Sequence, residues 1–457
     1  MATFKITFAG GAQMPTGSNF LLEMGGKKVL IDCGLVQGEK YSIPINYEPF
    51  AYDPTQIDAL LVTHGHLDHV GRIPKLVHDG FKGKIMSTAP TREIGELIML
   101  DSLGVLGKEA SHQGIERLYE EADVLQTVHL WDTALEYEKP HTFPTDDGNA
   151  TITFHDAGHI LGSASIEIEY KGKKLAFTGD LGNTPSPLMH DTTPLKDIDY
   201  LVMESVYGDR NHTDKDKRVD ILKEAVTSTI TAGGTVIIPA FSIERTQELL
   251  LAFNELVEAG SIPAVPVYLD SPLGINVTKV YKKYEHWFNE NVDGIIRSGD
   301  DIFAFKGLIQ TSSPDESRAI NQNNDPKVII AGSGMSNGGR ILHHEARYLS
   351  DPKNTIIIVG YQAVGTLGRR IVDDAKEVII HNQPVAVRAR VVNIHGFSAH
   401  KDSDHLFEFV GSTASSLKKV FVVLGEPKSA YYLAQRIHEG YELDVTVPEK
   451  GDVVELE

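Results

Sequence analysis

One cysteine, two tryptophans and no apolar run near the ~20 residues that a membrane-spanning helix needs are the first features of this chain. Each scarcity removes a class of protein. A lone Cys33 cannot form an internal disulfide, which excludes a disulfide-stapled secreted scaffold and fits a reducing cytoplasm. It ends the apolar run Val29-Leu30-Ile31-Asp32-Cys33, where packing is a commoner role than metal ligation. No charged-then-apolar leader opens the sequence, so the expectation is a cytoplasmic protein with no membrane association. Positive charge is short as well: 43 Lys and Arg face 63 Asp and Glu, for a net charge of −20. That balance argues against coating nucleic acid through bulk electrostatics. The deficit is uneven, because residues 206–372 hold 18 Lys and Arg against 20 Asp and Glu. If a polyanion binds, the middle of the chain is the surface least hostile to it.

What remains is a globular composition, 41% apolar and 23% charged over 457 residues, enough for two or three domains. The N-terminal third reads as short strands: Lys5–Ala9, Phe20–Met24, Lys28–Asp32 and Ala59–Thr63. An internal echo links Gly26-Lys27-Lys28 and the strand after it to Gly172-Lys173-Lys174 and the strand after that. Ile57-Asp58-Ala59-Leu60-Leu61-Val62-Thr63 is echoed in turn by Ile198-Asp199-Tyr200-Leu201-Val202-Met203-Glu204. Two related half-domains would bring these strand ends to one shared edge. From about residue 206 the texture changes to apolar strands alternating with helices, which reads as a parallel sheet covered on both faces. Its functional loops belong at the carboxyl ends of the strands.

The chemistry is concentrated where one strand stops. Leu60-Leu61-Val62-Thr63 runs into His64-Gly65-His66-Leu67-Asp68-His69, and a helix is expected from Val70. Imidazole and carboxylate are the ligands that zinc prefers, and four ligand-type residues within six positions point to a metal site, for two ions. Two later strand ends, Asp156-Ala157-Gly158-His159 and Phe177-Thr178-Gly179-Asp180, complete the set. The expected arrangement places His64, His66 and His159 on one ion and Asp68 and His69 on the other, with Asp180 bridging. Such a pair sits ~3.5–4 Å apart and activates water for in-line attack.

At this point the sequence resembles the metallo-β-lactamase superfamily, whose signature matches His64-Gly-His66-Leu-Asp68-His69, then His159, then Asp180. The resemblance makes Asp32 a supporting residue near the metals and Asp68 a catalytic as well as a ligand residue. Glu204, the Phe397-Ser398-Ala399-His400 stretch, the Gly334-Met335…Gly339-Arg340 loop and Gly365-Thr366-Leu367-Gly368-Arg369 are similar to motifs of its β-CASP branch. It implies an α/β fold, an αββα sandwich formed by residues 1–205 and 373–457, interrupted by a β-CASP domain at 206–372 on a mainly parallel sheet. It also implies a zinc-dependent ribonuclease acting on single-stranded RNA through backbone contacts, with Glu204 and His400 assisting the leaving group. Ser242, Arg245, Ser333, Ser336, Arg340 and Arg369 lie on strand-to-helix loops where backbone amides attract phosphate, and are the candidate substrate contacts. One departure stands out. In Phe421-Val422-Val423-Leu424-Gly425-Glu426, Leu424 occupies the place of a usual metal-binding histidine, so the second zinc is expected to bind more weakly. A catalytically weakened RNA-binding or scaffold member and a metal-dependent small-molecule esterase are the alternatives, and a homodimer is left open.

Overall fold

In a computed structural model, which describes residues 3–38, 42–213, 215–363 and 365–457, alternation along the strands sorts apolar side chains onto two faces. Val29, Ile31, Ala59 and Leu61 enter one core, and Leu30, Leu60 and Val62 between them enter another. The same division recurs later: Leu175, Phe177, Tyr200 and Val202 join the first core, whereas Ala176, Leu201 and Met203 join a third. The shared core is therefore the filling between two sheets, and the other two are the outer faces that helices cover. Helix residues Ile73, Leu76, Met99 and Val124 pack on one outer face, and Leu406, Phe409, Leu433 and Ile437 on the other. This is the expected αββα layering.

Each sheet has seven strands. The first runs Val453–Leu456, Phe4–Gly10, Asn19–Met24, Lys27–Ile31, Ala59–Leu61, Lys84–Ser87, Thr133–Ala134. The second runs Val445–Thr446, Lys419–Val422, Tyr200–Met203, Lys173–Phe177, Ala164–Tyr170, Gly148–Asp156, His141–Thr145. The sequence echo is a structural repeat. Lys27–Ile31 pairs antiparallel with the strand before it and parallel with Ala59–Leu61, and Lys173–Phe177 pairs likewise with Ala164–Tyr170 and Tyr200–Met203. Lys28 N donates to Asp58 Oδ2 at 2.8 Å, and Lys174 N donates to Asp199 Oδ2 at 2.9 Å. Cys33 lies in the core of the first outer face, where burial pushes its thiol up to about 12. It packs, as the sequence suggested.

The chain divides into two compact units, Met1–Asn211 with His400–Glu457, and His212–Ala399. The second unit is built on six parallel strands in the order Leu308–Gln310, Val267–Asp270, Lys327–Ala331, Thr235–Pro239, Thr355–Ile358, Arg390–Asn393. It extends past residue 372 because Arg390–Asn393 pairs with Thr355–Ile358, after a hairpin of Glu377–Ile380 and Gln383–Ala386.

Candidate metal centre

Asp32 organises the first half of the site. Its carboxylate is buried and accepts from Thr63 N at 2.8 Å, Thr63 Oγ1 at 2.9 Å and Ser18 Oγ at 3.0 Å. It also meets His69 Nδ1 at 2.7 Å. That last contact fixes the ring so that Nε2 faces the site, the carboxylate-to-histidine arrangement that orients metal ligands. Thr63 sits at the point where the strand gives way to His64, and Gly34 allows the chain to pass: a Cβ there would lie 1.5 Å from Asp68 O. The His159 turn is held by Ser163, whose Oγ accepts from His159 N at 3.0 Å and Ile160 N at 3.2 Å. Sequence spacing missed Ser18, Thr63 and Ser163, which carry no ligand chemistry of their own.

Three imidazoles and a carboxylate converge. His64 Nε2 and His66 Nδ1 are 3.1 Å apart, and His159 Nε2 is 3.3 Å from His66 Nδ1. Asp180 Oδ2 stands 3.5 Å from His64 Nε2 and 3.6 Å from His159 Nε2. Ligand atoms ~2.0–2.1 Å from a tetrahedral zinc are about 3.3 Å from one another, so these donors stand at the separations one ion imposes. Burial first, then neighbouring imidazoles, holds His64 and then, chiefly with His400, His159 well below the ordinary histidine pKa. Neutral rings keep the lone pairs that a cation needs. The residues present fit a metal.

The other expected half is looser. His69 Nε2 is buried without a hydrogen-bond partner and lies 3.4 Å from Asp180 Oδ1. Burial opposes its charge, but Asp180 and Asp32 outweigh that and raise its pKa well above the usual value. Asp180 is correspondingly held low, chiefly by His69 against the effect of burial. Asp68 is half-buried, and burial leads in pushing its carboxyl up to about 6. It joins no group of three ligand atoms within 4.8 Å among the described residues. Leu424 offers none either. It is 2% exposed in the inter-sheet core, its N donates to Gly11 O at 2.7 Å, and a Cβ on Gly11 would lie 2.7 Å from its Cδ2.

A second convergent set is Asp180, Glu204 and His400. Glu204 is fully buried, and its Oε1 accepts from Leu181 N at 2.6 Å and faces His400 Nδ1 at 3.2 Å. A bridge between Gly182 and His400 ties the histidine to the turn bearing Asp180. Burial lowers the affinity of His400 for a proton, but the Glu204 carboxylate more than offsets it and the pKa rises to about 9. Glu204 itself is raised, by burial first. The His400 ring centre is 4.6 Å from that of His159. Two residues 196 positions apart in the chain thus form a pair beside the candidate metal ligands.

The candidate phosphate contacts all fall in the second unit, where several are already engaged. Arg245 is buried and paired with Glu248, and Ser336 is buried on Glu345. Arg340 binds Asp270 at 2.7 Å and the carbonyls of Thr311 and Ser312. Ser242 and Ser333 remain partly exposed, as does Arg369, which shares its guanidinium with Asp373 at 2.9 Å.

Comparison with known proteins places this geometry. The chain matches the profile of the metallo-beta-lactamase superfamily over residues 16–239, that of the Beta-Casp domain over 246–371, and that of the Zn-dependent metallo-hydrolase RNA specificity domain over 384–448. It is 37% identical to ribonuclease TTHA0252 of Thermus thermophilus, over 89% of this chain and 90% of that one. It is 33% identical to an RNase J-like protein of Methanocaldococcus jannaschii, over 99% of both. A transcription termination factor, FttA of Methanosarcina mazei, is 31% identical over 99% of this chain and 71% of its own length. A crystal structure of a protein of unknown function from Enterococcus faecalis shares the fold, with a TM-score of 0.55 across 100% of both chains at 12% identity.

Proposed function

The chain belongs to the metallo-β-lactamase superfamily, in the branch that carries a β-CASP domain, and from that premise we propose that it is a cytoplasmic, zinc-dependent ribonuclease cleaving single-stranded RNA. That it is a metal-dependent hydrolase follows from the family. The finer reading is supported by one observation: His400 Nδ1 faces the buried Glu204 carboxylate at 3.2 Å beside a set of three imidazoles and a carboxylate that could hold an ion.

His64, His66, His159 and Asp180 would hold one ion, and His69, Asp68 and Asp180 a second. Bound there, divalent ions lower the pKa of water and neutralise charge on a phosphodiester. The protein's own groups do the rest. His400 keeps its proton at neutral pH and delivers it to the departing oxygen, with Glu204 fixing the ring and its charge. Asp68, whose carboxyl burial pushes up to about 6, would take up the proton that water releases. Ser242, Ser333 and Arg369 retain surface for backbone phosphates. Arg245, Ser336 and Arg340 would first have to give up internal partners, and they act by shaping the loops.

The test is incubation of an unstructured, 5′-labelled RNA with the zinc-loaded protein, with and without chelator. Metal-dependent cleavage is expected, and it should disappear in His66→Ala. Mononucleotide products would indicate exonuclease action and internal fragments endonuclease action. An inert zinc-loaded wild type would overturn the reading.

Leu424 favours a second reading, an RNA-binding member with weakened catalysis, because it leaves the second ion one ligand short. In a zinc titration of apoprotein, the wild type should show one tight and one weaker equivalent. Leu424→His should tighten the weaker one by at least the ~10–100-fold that even supporting residues of a metal site contribute. Two equally tight equivalents in the wild type would sink the idea.

A further inference from the structure

Tyr431 and Tyr432 are adjacent in the chain, and both are more than half exposed, at 54% and 52%. They lie on the helix Pro427–Tyr441, whose buried side is Ser429, Ala430, Leu433, Ala434 and Ile437, so neither contributes to the core that holds the helix down. Large exposed aromatics on a helix already docked through another face are a cost in solubility with no return in packing.

Their position supplies a return. Ser429 Oγ donates to Ser205 O at 2.6 Å, which anchors the first turns of the helix to the residue after Glu204. Gly425, just before the helix, is so close to Ser205 that a Cβ on it would lie 2.3 Å from Ser205 Oγ. Gln13 Nε2 lies 3.5 Å from Tyr431 OH, two residues on from Gly11, whose carbonyl accepts from Leu424 N. The tyrosines therefore lie in the first turns of a helix that starts at the same rim of strand ends as Glu204 and is bonded to the residue after it. They also fall within residues 384–448, the stretch matched by the RNA specificity domain profile.

Charge decides what this rim can grip. Nearly all of the net −20 lies outside residues 206–372, so away from the metal ligands this unit offers a polyanion no bulk attraction through its phosphates. Base stacking needs no positive charge, tolerates any sequence, and suits tyrosine, whose two side-chain torsions cost little to order. We propose that Tyr431 and Tyr432 form a stacking platform for unpaired bases of the RNA, beside the metal centre and distinct from it. The proposal rests on the ribonuclease reading, and it makes RNA recognition by this unit depend on bases rather than phosphates.

The experiment compares wild type, the double variant Tyr431→Ala/Tyr432→Ala and the double variant Tyr431→Phe/Tyr432→Phe on three probes. These are an unstructured RNA, the same RNA with an abasic tract, and bis(p-nitrophenyl) phosphate. Binding to the RNA is followed separately by fluorescence polarisation. The alanine variant should bind RNA more weakly and raise KM about 5- to 150-fold for each stacked base lost, with kcat unchanged. The phenylalanine variant should match wild type. The abasic RNA and the small phosphodiester should be handled alike by all three proteins, which a merely structural role for the tyrosines would not allow. Unchanged RNA binding in the alanine variant overturns the platform, and so does an equal loss on the small phosphodiester. Conversion of a dimer to a monomer in sedimentation, with KM unmoved, would assign the tyrosines to self-association instead. A wild type that binds RNA through these residues but never cleaves it would sink the ribonuclease reading and leave the platform standing. Failure to bind RNA at all would sink both.

Discussion

Replacing His400 with alanine is expected to lower kcat for RNA by about 10²–10⁴-fold, the usual worth of a positioned proton donor. Zinc binding at the three-histidine set should survive, since His400 is outside it. The loss should shrink on bis(p-nitrophenyl) phosphate, whose leaving group departs without a proton. Equal losses on both substrates would remove His400 from the role of acid. The pH profile gives an independent check. The pKa of His400 is raised from the ordinary ~6.5 to about 9, so its proton is present at neutral pH and lost as pH climbs through that value. The rate should fall on the alkaline side. Glu204→Gln removes the charge that raises the pKa, so its alkaline limb should move to lower pH. Cations bound alongside repel the same proton, which sets the limb of the loaded enzyme below that of the metal-free histidine.

Asp180→Ala is expected to be more damaging still. One oxygen of Asp180 faces His64 and His159, the other faces His69, and the residue belongs to the Glu204–His400 set as well. If it bridges as proposed, its removal takes a ligand from both halves and leaves four imidazoles with one negative charge fewer among them. Zinc affinity should drop by more than the ~10–100-fold typical of a supporting residue, and RNA cleavage should fall to background. Calorimetric titration of the apoprotein checks the first statement and the labelled-RNA assay the second. A variant that still binds two zinc ions as tightly as wild type would remove Asp180 from the bridging position.

The αββα layering was implied by the family resemblance, whereas the short strands and the ligand types were legible in the residues for a physical reason. A two-residue alternation states which face each side chain takes, and six consecutive positions from His64 to His69 need no tertiary knowledge to be read together. His159 and Asp180 were legible because each follows an apolar strand and completes the ligand set, and Glu204 and His400 only through the motifs they share with the β-CASP branch. What escaped has a common cause. Ser18, Thr63 and Ser163 act by hydrogen bonds whose partners the chain brings close only on folding, and serine or threonine at a strand end has many other uses. Arg245 and Arg340 were read as available charges, but the buried Glu248 and Asp270 that occupy them lie in helices and strands whose polar residues gave no sign of pointing inward. Tyr431 and Tyr432 broke no helical pattern, so nothing in the one-dimensional record set them apart from an ordinary solvated face.

The inter-sheet core has a consequence for the metal centre. His64, His66 and His69 are carried by one sheet, and His159 and Asp180 by the other. The spacing between them is set by rings such as Phe20 and Phe177, 5.8 Å apart, and Phe8 and Phe421, 5.4 Å apart. The sandwich is a calliper whose jaws are the two ligand groups and whose spacer is hydrocarbon. Ligand distances in a well-formed zinc site fall within about 0.2 Å of their standard values. A methylene gained or lost far from any ligand should thus register in metal affinity as well as in stability.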